Sequence, residues 1–158
     1  MTGRRGLRLA AAAMFAICVA VAATLIMRHE SAPTPGDCAV AADMVSRWRT
    51  MTEAIATSLD GPSDTEILLA TANTEAATAD QLRTRADDIA SSHLRSVAMG
   101  LPDALDMIAR SRRSAADAIR HPGVGPDRDY VKGSDAAGST VAALRSACPS
   151  IPAAQRPR

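Results

Sequence analysis

Aromatic side chains are nearly absent from this chain: its 158 residues hold one tryptophan, one tyrosine and one phenylalanine. Pleated sheets draw on aromatic and β-branched residues to pack their faces, so the shortage argues against a β-sandwich or barrel. It also removes the stacking platforms that hold single-stranded nucleic acid or sugar rings. Lysine occurs only at position 132, beside 17 arginines. With so much alanine, that bias points to a GC-rich bacterial genome. No Gly-x-Ser-x-Gly elbow, phosphate-binding Gly-Lys-Ser/Thr loop, Cys-x-x-Cys motif or Glu-x-x-His pair occurs in the chain, so neither a nucleophile-based enzyme nor a di-iron bundle is expected. No catalytic residue and no cofactor are therefore assigned.

What is present begins with an apolar run from Leu9 to Met27, preceded by Arg4, Arg5 and Arg8 and closed by Arg28. As a helix it would span roughly 28 Å, close to the roughly 30 Å hydrocarbon core of a bilayer. The arginines retain the N-terminus in the cytoplasm by the positive-inside bias. Residues 1–8 then read as a cytoplasmic N-terminus, 9–27 as an uncleaved membrane anchor and the remainder as an extracytoplasmic part at a bacterial inner membrane. A cleaved signal peptide, cut near Ala22, is the competing reading, and it would make the same domain a secreted one. Ile17 before Cys18 does not make a lipobox, and Arg4-Arg5 is at most a twin-arginine address.

Three of the 18 basic residues precede Leu9, leaving 15 against 17 acidic residues beyond the anchor. A slightly acidic domain lacks the basic footprint of a nucleic-acid binder, so none is expected as partner. Alanine, leucine, arginine and acidic residues favour helix instead. Pro33, Pro35 and Gly36 mark 28–36 as an extended linker. Val40, Met44, Trp48, Met51, Ile55 and Leu59 recur in threes and fours, predicting a first helix capped by Asp37 and ended by Asp60-Gly61-Pro62. Ser63 to Glu66 forms a capping box for a second helix. Its stripe runs Leu68, Ala72, Ala76, Ala79, Leu82, Ala86, Ile89, His93 and Val97 and stops at Gly100, with a bend or break expected near Asn73. Pro102 opens a third helix that ends at His121, and a fourth, weakened by Gly133 and Gly138, runs from about Arg128 to Ala147. Residues 149–158 read as a disordered tail.

With Cys18 inside the apolar run, only Cys38 and Cys148 reach an oxidising exterior. They stand at the start of the first helix and the end of the fourth, ends that meet in an antiparallel bundle only if the helix count is even. The expected fold over 37–148 is thus an all-α, antiparallel four-helix bundle closed by a Cys38–Cys148 disulfide.

Candidate sites are sparse. His93 on the inward stripe, with Met44, Met51 and Met99, could form a soft-metal site, although such methionines fill gaps in most cores and no metal is assigned. Asp117 and His121 read as a helix-end pair. Arg110, Arg112, Arg113 and Arg120, with Arg47 and Arg49 beside Trp48, could face anionic lipid or an acidic partner, but Asp106–Arg110, Arg113–Asp117 and Arg83–Asp87 pairs at i,i+4 favour a solvated surface. The expected function is a non-enzymatic, membrane-anchored interaction or scaffolding module engaging an envelope protein or lipid. The alternative is a bundle that carries an apolar ligand or a soft metal between its helices.

Overall fold

Apolar residues spaced three and four apart build four helices in the computed structural model, which describes residues 32–58, 64–121 and 129–153. They are α1 (Pro35–Ser58), α2 (Thr65–Asp87), α3 (Ser92–Arg120) and α4 (Asp129–Ala147), with no strand among the described residues. The apolar run 9–27, its cleavage near Ala22, Cys18 and the 154–158 part of the tail lie outside the described residues. No described helix is long and apolar enough to cross a membrane.

α1 starts three residues earlier than a cap at Asp37 implies. Thr34, not Asp37, caps it: the Asp37 amide donates to Thr34 Oγ1 at 3.1 Å and the Thr34 amide donates to Asp37 Oδ2 at 3.0 Å. This reciprocal pair is a capping box, and it places Pro35 at the first helical position, where its missing N–H is no loss. Pro35 and Gly36 therefore belong to α1 rather than to a linker. Asp37 is buried, and its Oδ1 accepts from the Ala90 amide at 2.6 Å. Those backbone N–H groups hold its carboxyl below the usual range, Thr34 first and Ala90 next.

α2 is capped by Asp64, whose Oδ1 accepts from the Ile67 amide at 2.8 Å; Ser63 lies outside the described residues. The helix runs unbroken through Asn73 and ends at Asp87, so neither a break at Asn73 nor a stop at Gly100 is found. Asp87 and Asp88 stand where the helix dipole disfavours negative charge. Beyond them Ser91 caps α3 from its side-chain oxygen, and Arg95 donates to the Ile89 carbonyl at 2.9 and 2.6 Å. Polar groups, with no glycine or proline, thus make the turn.

Gly100 and Pro102 consequently lie inside α3. An interior proline costs a helix about 3 kcal/mol, and here tertiary packing offsets it, since Pro102 is fully buried. Gly100 serves close packing: a Cβ there would stand 2.7 Å from Thr140 Oγ1 on α4. Gly133 does the same from the other side, where a Cβ would meet Ile108 Cγ1 at 2.7 Å and the Ala104 carbonyl oxygen at 3.0 Å.

Ala72, Ala79, Ala86, Ala98, Ala104, Ala109 and Ala137 allow the close approach of α2, α3 and α4, and Leu82, Leu94, Leu101, Leu105 and Leu144 fill the space between. Each such buried leucine contributes roughly 1.5–3 kcal/mol. Across the surface, Arg83 pairs with Asp80 on its own helix and with Asp103 and Asp106 on α3, not with Asp87. Cys38 and Cys148 are joined by a disulfide, their Cα atoms 5.4 Å apart. The chain then folds back: Ile151 is buried and the Pro152 carbonyl accepts from Arg49 at 2.8 Å, so the described start of the tail is ordered structure.

Candidate functional site

α1 packs along α2 but makes no sustained backbone contact with α4. Its side chains explain the gap. Trp48, Met51, Thr52 and Ile55 on α1 face Tyr130, Ser134 and Ala137 on α4 across a cleft of about 260 Å³, whose inner wall is Leu105 and Ile108 of α3. A second hollow of about 460 Å³ lies between Trp48 and Arg49 of α1 and Gly138, Val141 and Arg145 of α4. Trp48 and Thr52 line both.

One polar pair is set into the apolar walls of the first cleft. Glu75, from α2, has a side chain only 3 % exposed, and its Oε1 accepts from Arg112 Nε at 2.7 Å. Arg112, from α3, is 11 % exposed, with its guanidinium 5.1 Å from the centre of the Tyr130 ring. That stacking on α4 holds the arginine in place through a cation–π contact. The other carboxyl oxygen, Glu75 Oε2, is buried with no hydrogen-bond partner among the described residues. Leaving a buried acceptor unpaired costs about 1–3 kcal/mol, more if it is charged. Burial pushes the Glu75 carboxyl above the usual carboxylate range, while the Arg112 hydrogen bond and the Arg112 and Arg113 charges pull it down. Arg145 Nε, lining the second hollow, is also buried without a partner.

A carboxyl buried like that of Glu75 takes up a proton more readily than an exposed one. The apolar walls would enclose most of a small body, the usual composition of a ligand pocket.

Of the residues singled out in the sequence, Cys38 and Cys148 are brought together. Met44 and Met51 are buried in the core, Met51 also lining the cleft, and Met99 packs partly buried against that core. His93 does not join them. The turn at 88–91 resets the helical phase, so His93 falls on the exposed side of α3's first turn instead of continuing the stripe of α2. No group of three or more His, Cys, Asp or Glu side chains suited to a metal occurs among the described residues. His121 caps α3 through its own amide, which donates to the Asp117 carbonyl at 2.9 Å, and its Nδ1 lies 3.3 Å from that same carbonyl rather than on the carboxylate. Arg112 is not part of a solvated basic face; it is the buried partner of Glu75.

Glu75 and Arg112 both left a trace in the sequence. Ala72, Glu75, Ala79, Leu82 and Ala86 keep the three-four rhythm of α2, with a carboxylate in an apolar position, while Ala76 fits the same rhythm with an apolar residue. Leu101, Leu105, Ile108 and Arg112 do the same on α3. The two aromatic residues beyond the apolar run, Trp48 and Tyr130, line the same cleft from opposite ends of the chain.

No protein-family model, curated protein or solved structure matches this chain.

Proposed function

We propose that this chain is a non-enzymatic, envelope-anchored binding module, held in a bacterial inner membrane by residues 9–27 and working outside it through the cleft between α1 and α4. The apolar run and its flanking arginines support the anchor and its orientation. The disulfide supports an oxidising exterior, and the meeting of α1's start, the α2–α3 turn and α4's end at one pole agrees with antiparallel packing. If the run is removed near Ala22, the same module is secreted.

The observation that carries the reading is the largely apolar cleft between α1 and α4, with the buried Glu75–Arg112 pair set into its wall. It favours a small ligand over a bare helix-face scaffold, because a helix-face contact needs no recess between α1 and α4. Exposure of His93 turns the ligand away from a soft metal.

The test is thermal unfolding of the full chain in lipid nanodiscs with a panel of small amphiphiles. A ligand that binds only the folded state at a hundred times its Kd stabilises it by about 2.7 kcal/mol. A rise of several degrees in Tm with at least one class of amphiphile supports the reading. A Tm indifferent to all of them, with a single envelope protein crosslinked to the α1 or α3 surface in native membranes, supports the scaffold instead.

A further inference from the structure

The second hollow on the seam is built differently from the first. Arg49 from α1 and Arg145 from α4 both line it, and Trp48, Val141 and Pro152 supply apolar surface beside them. Arg49 donates from Nη2 to the Pro152 carbonyl, a neutral acceptor, at 2.8 Å. Arg145 has no hydrogen-bond or ion-pair partner among the described residues. Of its guanidinium nitrogens only Nε is closed off from solvent, so the terminal ones stay accessible. The one carboxylate in the lining, Glu53, is exposed and forms no ion pair with either arginine. Solvent screens such a charge, and the hollow keeps a positive lining. A guanidinium is a rigid fork of donors that matches a carboxylate by two parallel bonds. An ammonium would set like charge against both arginines, and a bare anion would leave Trp48, Val141 and Pro152 without contact. For scale, an apolar cavity of about 150 Å³ holds benzene; a hollow of about 460 Å³ has room for a ring with a short chain.

Resting on the ligand-binding role of the α1–α4 seam proposed above, we propose that this second hollow is an anion site that receives a carboxylate on a small apolar body. The carboxylate accepts from the terminal nitrogens of Arg145 and Arg49, and the body lies against Trp48, Val141 and Pro152. A bound carboxylate then ties α1 to α4 further along the seam than the Cys38–Cys148 bridge. Charge-assisted bonds of this kind are roughly twice as strong as neutral ones, so the ligand's charge, more than its shape, sets its affinity.

The experiment is a calorimetric titration of the full chain in phosphatidylcholine nanodiscs with three probes of one shape: 3-phenylpropionate, 3-phenylpropanamide and 3-phenylpropylamine. Saturable binding is expected to be tightest for the carboxylate, weaker for the amide and weakest for the amine. Arg145→Gln breaks no hydrogen bond among the described residues, so it should keep the native Tm. It should weaken the carboxylate about tenfold to a hundredfold and change the amide little. Arg49→Gln should act in the same direction. Arg47→Gln is the control for diffuse charge, because Arg47 is paired with Asp43 and does not line the hollow; it should leave the carboxylate's affinity unchanged. Should Arg145→Gln fail to fold, the order of the three probes on the native chain decides the matter alone. Amide or amine bound as tightly as the carboxylate would overturn the anion site while leaving a ligand seam. So would carboxylate binding that Arg145→Gln leaves unchanged or that Arg47→Gln weakens equally. Absence of saturation with all three would overturn the hollow as a small-ligand site.

Discussion

Toward α3, α4 lies so close that Gly133 has no room for a Cβ, which would stand 2.7 Å from Ile108 Cγ1; further along the same helix, on the side facing α1, Gly138 has nothing within 4 Å. One seam is closed by residues too small to keep backbones apart. The other is held open by Trp48 and arginines, and the chain bridges it by a disulfide at one end. Packing of an alanine-rich bundle thus depends less on total hydrophobicity than on where its few bulky and charged side chains fall. The open seam holds Trp48, Tyr130, Arg112 and Arg145, and the two unpaired polar atoms found among the described residues belong to side chains lining it.

The largest effect should come from cutting the bridge across the open seam. A disulfide with a sequence separation of 110 restrains the unfolded chain by roughly 4–5 kcal/mol in the loop-entropy model. Replacing Cys38 and Cys148 with alanine should lower the denaturant midpoint accordingly; a loss below about 1 kcal/mol, small against that loop-entropy value, would mean that α1 and α4 hold each other without it.

Next in size is Arg112→Met, which strands the buried Glu75 carboxyl and should cost about 3–5 kcal/mol at neutral pH. The cost should shrink at lower pH, where the stranded group takes up a proton. The sign for the native chain follows from the same group. Its folded pKa lies above the ordinary 4.5, so the folded state binds more protons than the unfolded one just above that value. Stability relative to Glu75→Gln should therefore fall as pH rises from about 4.5 through the raised folded value. A difference that rises with pH would mean the carboxyl is better stabilised than its burial implies.

The two glycines give the sharpest contrast. Gly133→Ala should destabilise by about 1–2 kcal/mol, overpacking the closed seam by more than helix propensity returns. Gly138→Ala should stabilise by roughly 0.5–1 kcal/mol, since the open seam accepts a methyl group and alanine is the better helix former. Equal and stabilising values at both positions would dissolve the distinction between the seams.

Helix number, the disulfide and most of the α1 stripe were legible from spacing and the expected compartment alone. The α2–α3 boundary was not, because glycine and proline are the usual breaks in a helical pattern. Gly100 is a packing contact and Pro102 is tolerated through burial, whereas the true turn is made by Asp87, Asp88, Ser91 and Arg95, whose effect depends on dipoles and caps. That one displaced boundary also carried His93 to the wrong face. Glu75 was hidden for a different reason: an acidic residue in an alanine-rich helix reads as surface until the neighbouring Arg112 is seen to share its burial. Pairing across helices 37 residues apart in sequence leaves no local signature.

Acrylamide quenching of Trp48 in the full chain tests the open seam most directly, because the chain's one indole lines both hollows and is half-buried. An open cleft predicts ready quenching of the indole by acrylamide. A blue-shifted emission insensitive to acrylamide would show α1 closed onto α4 and contradict the cleft.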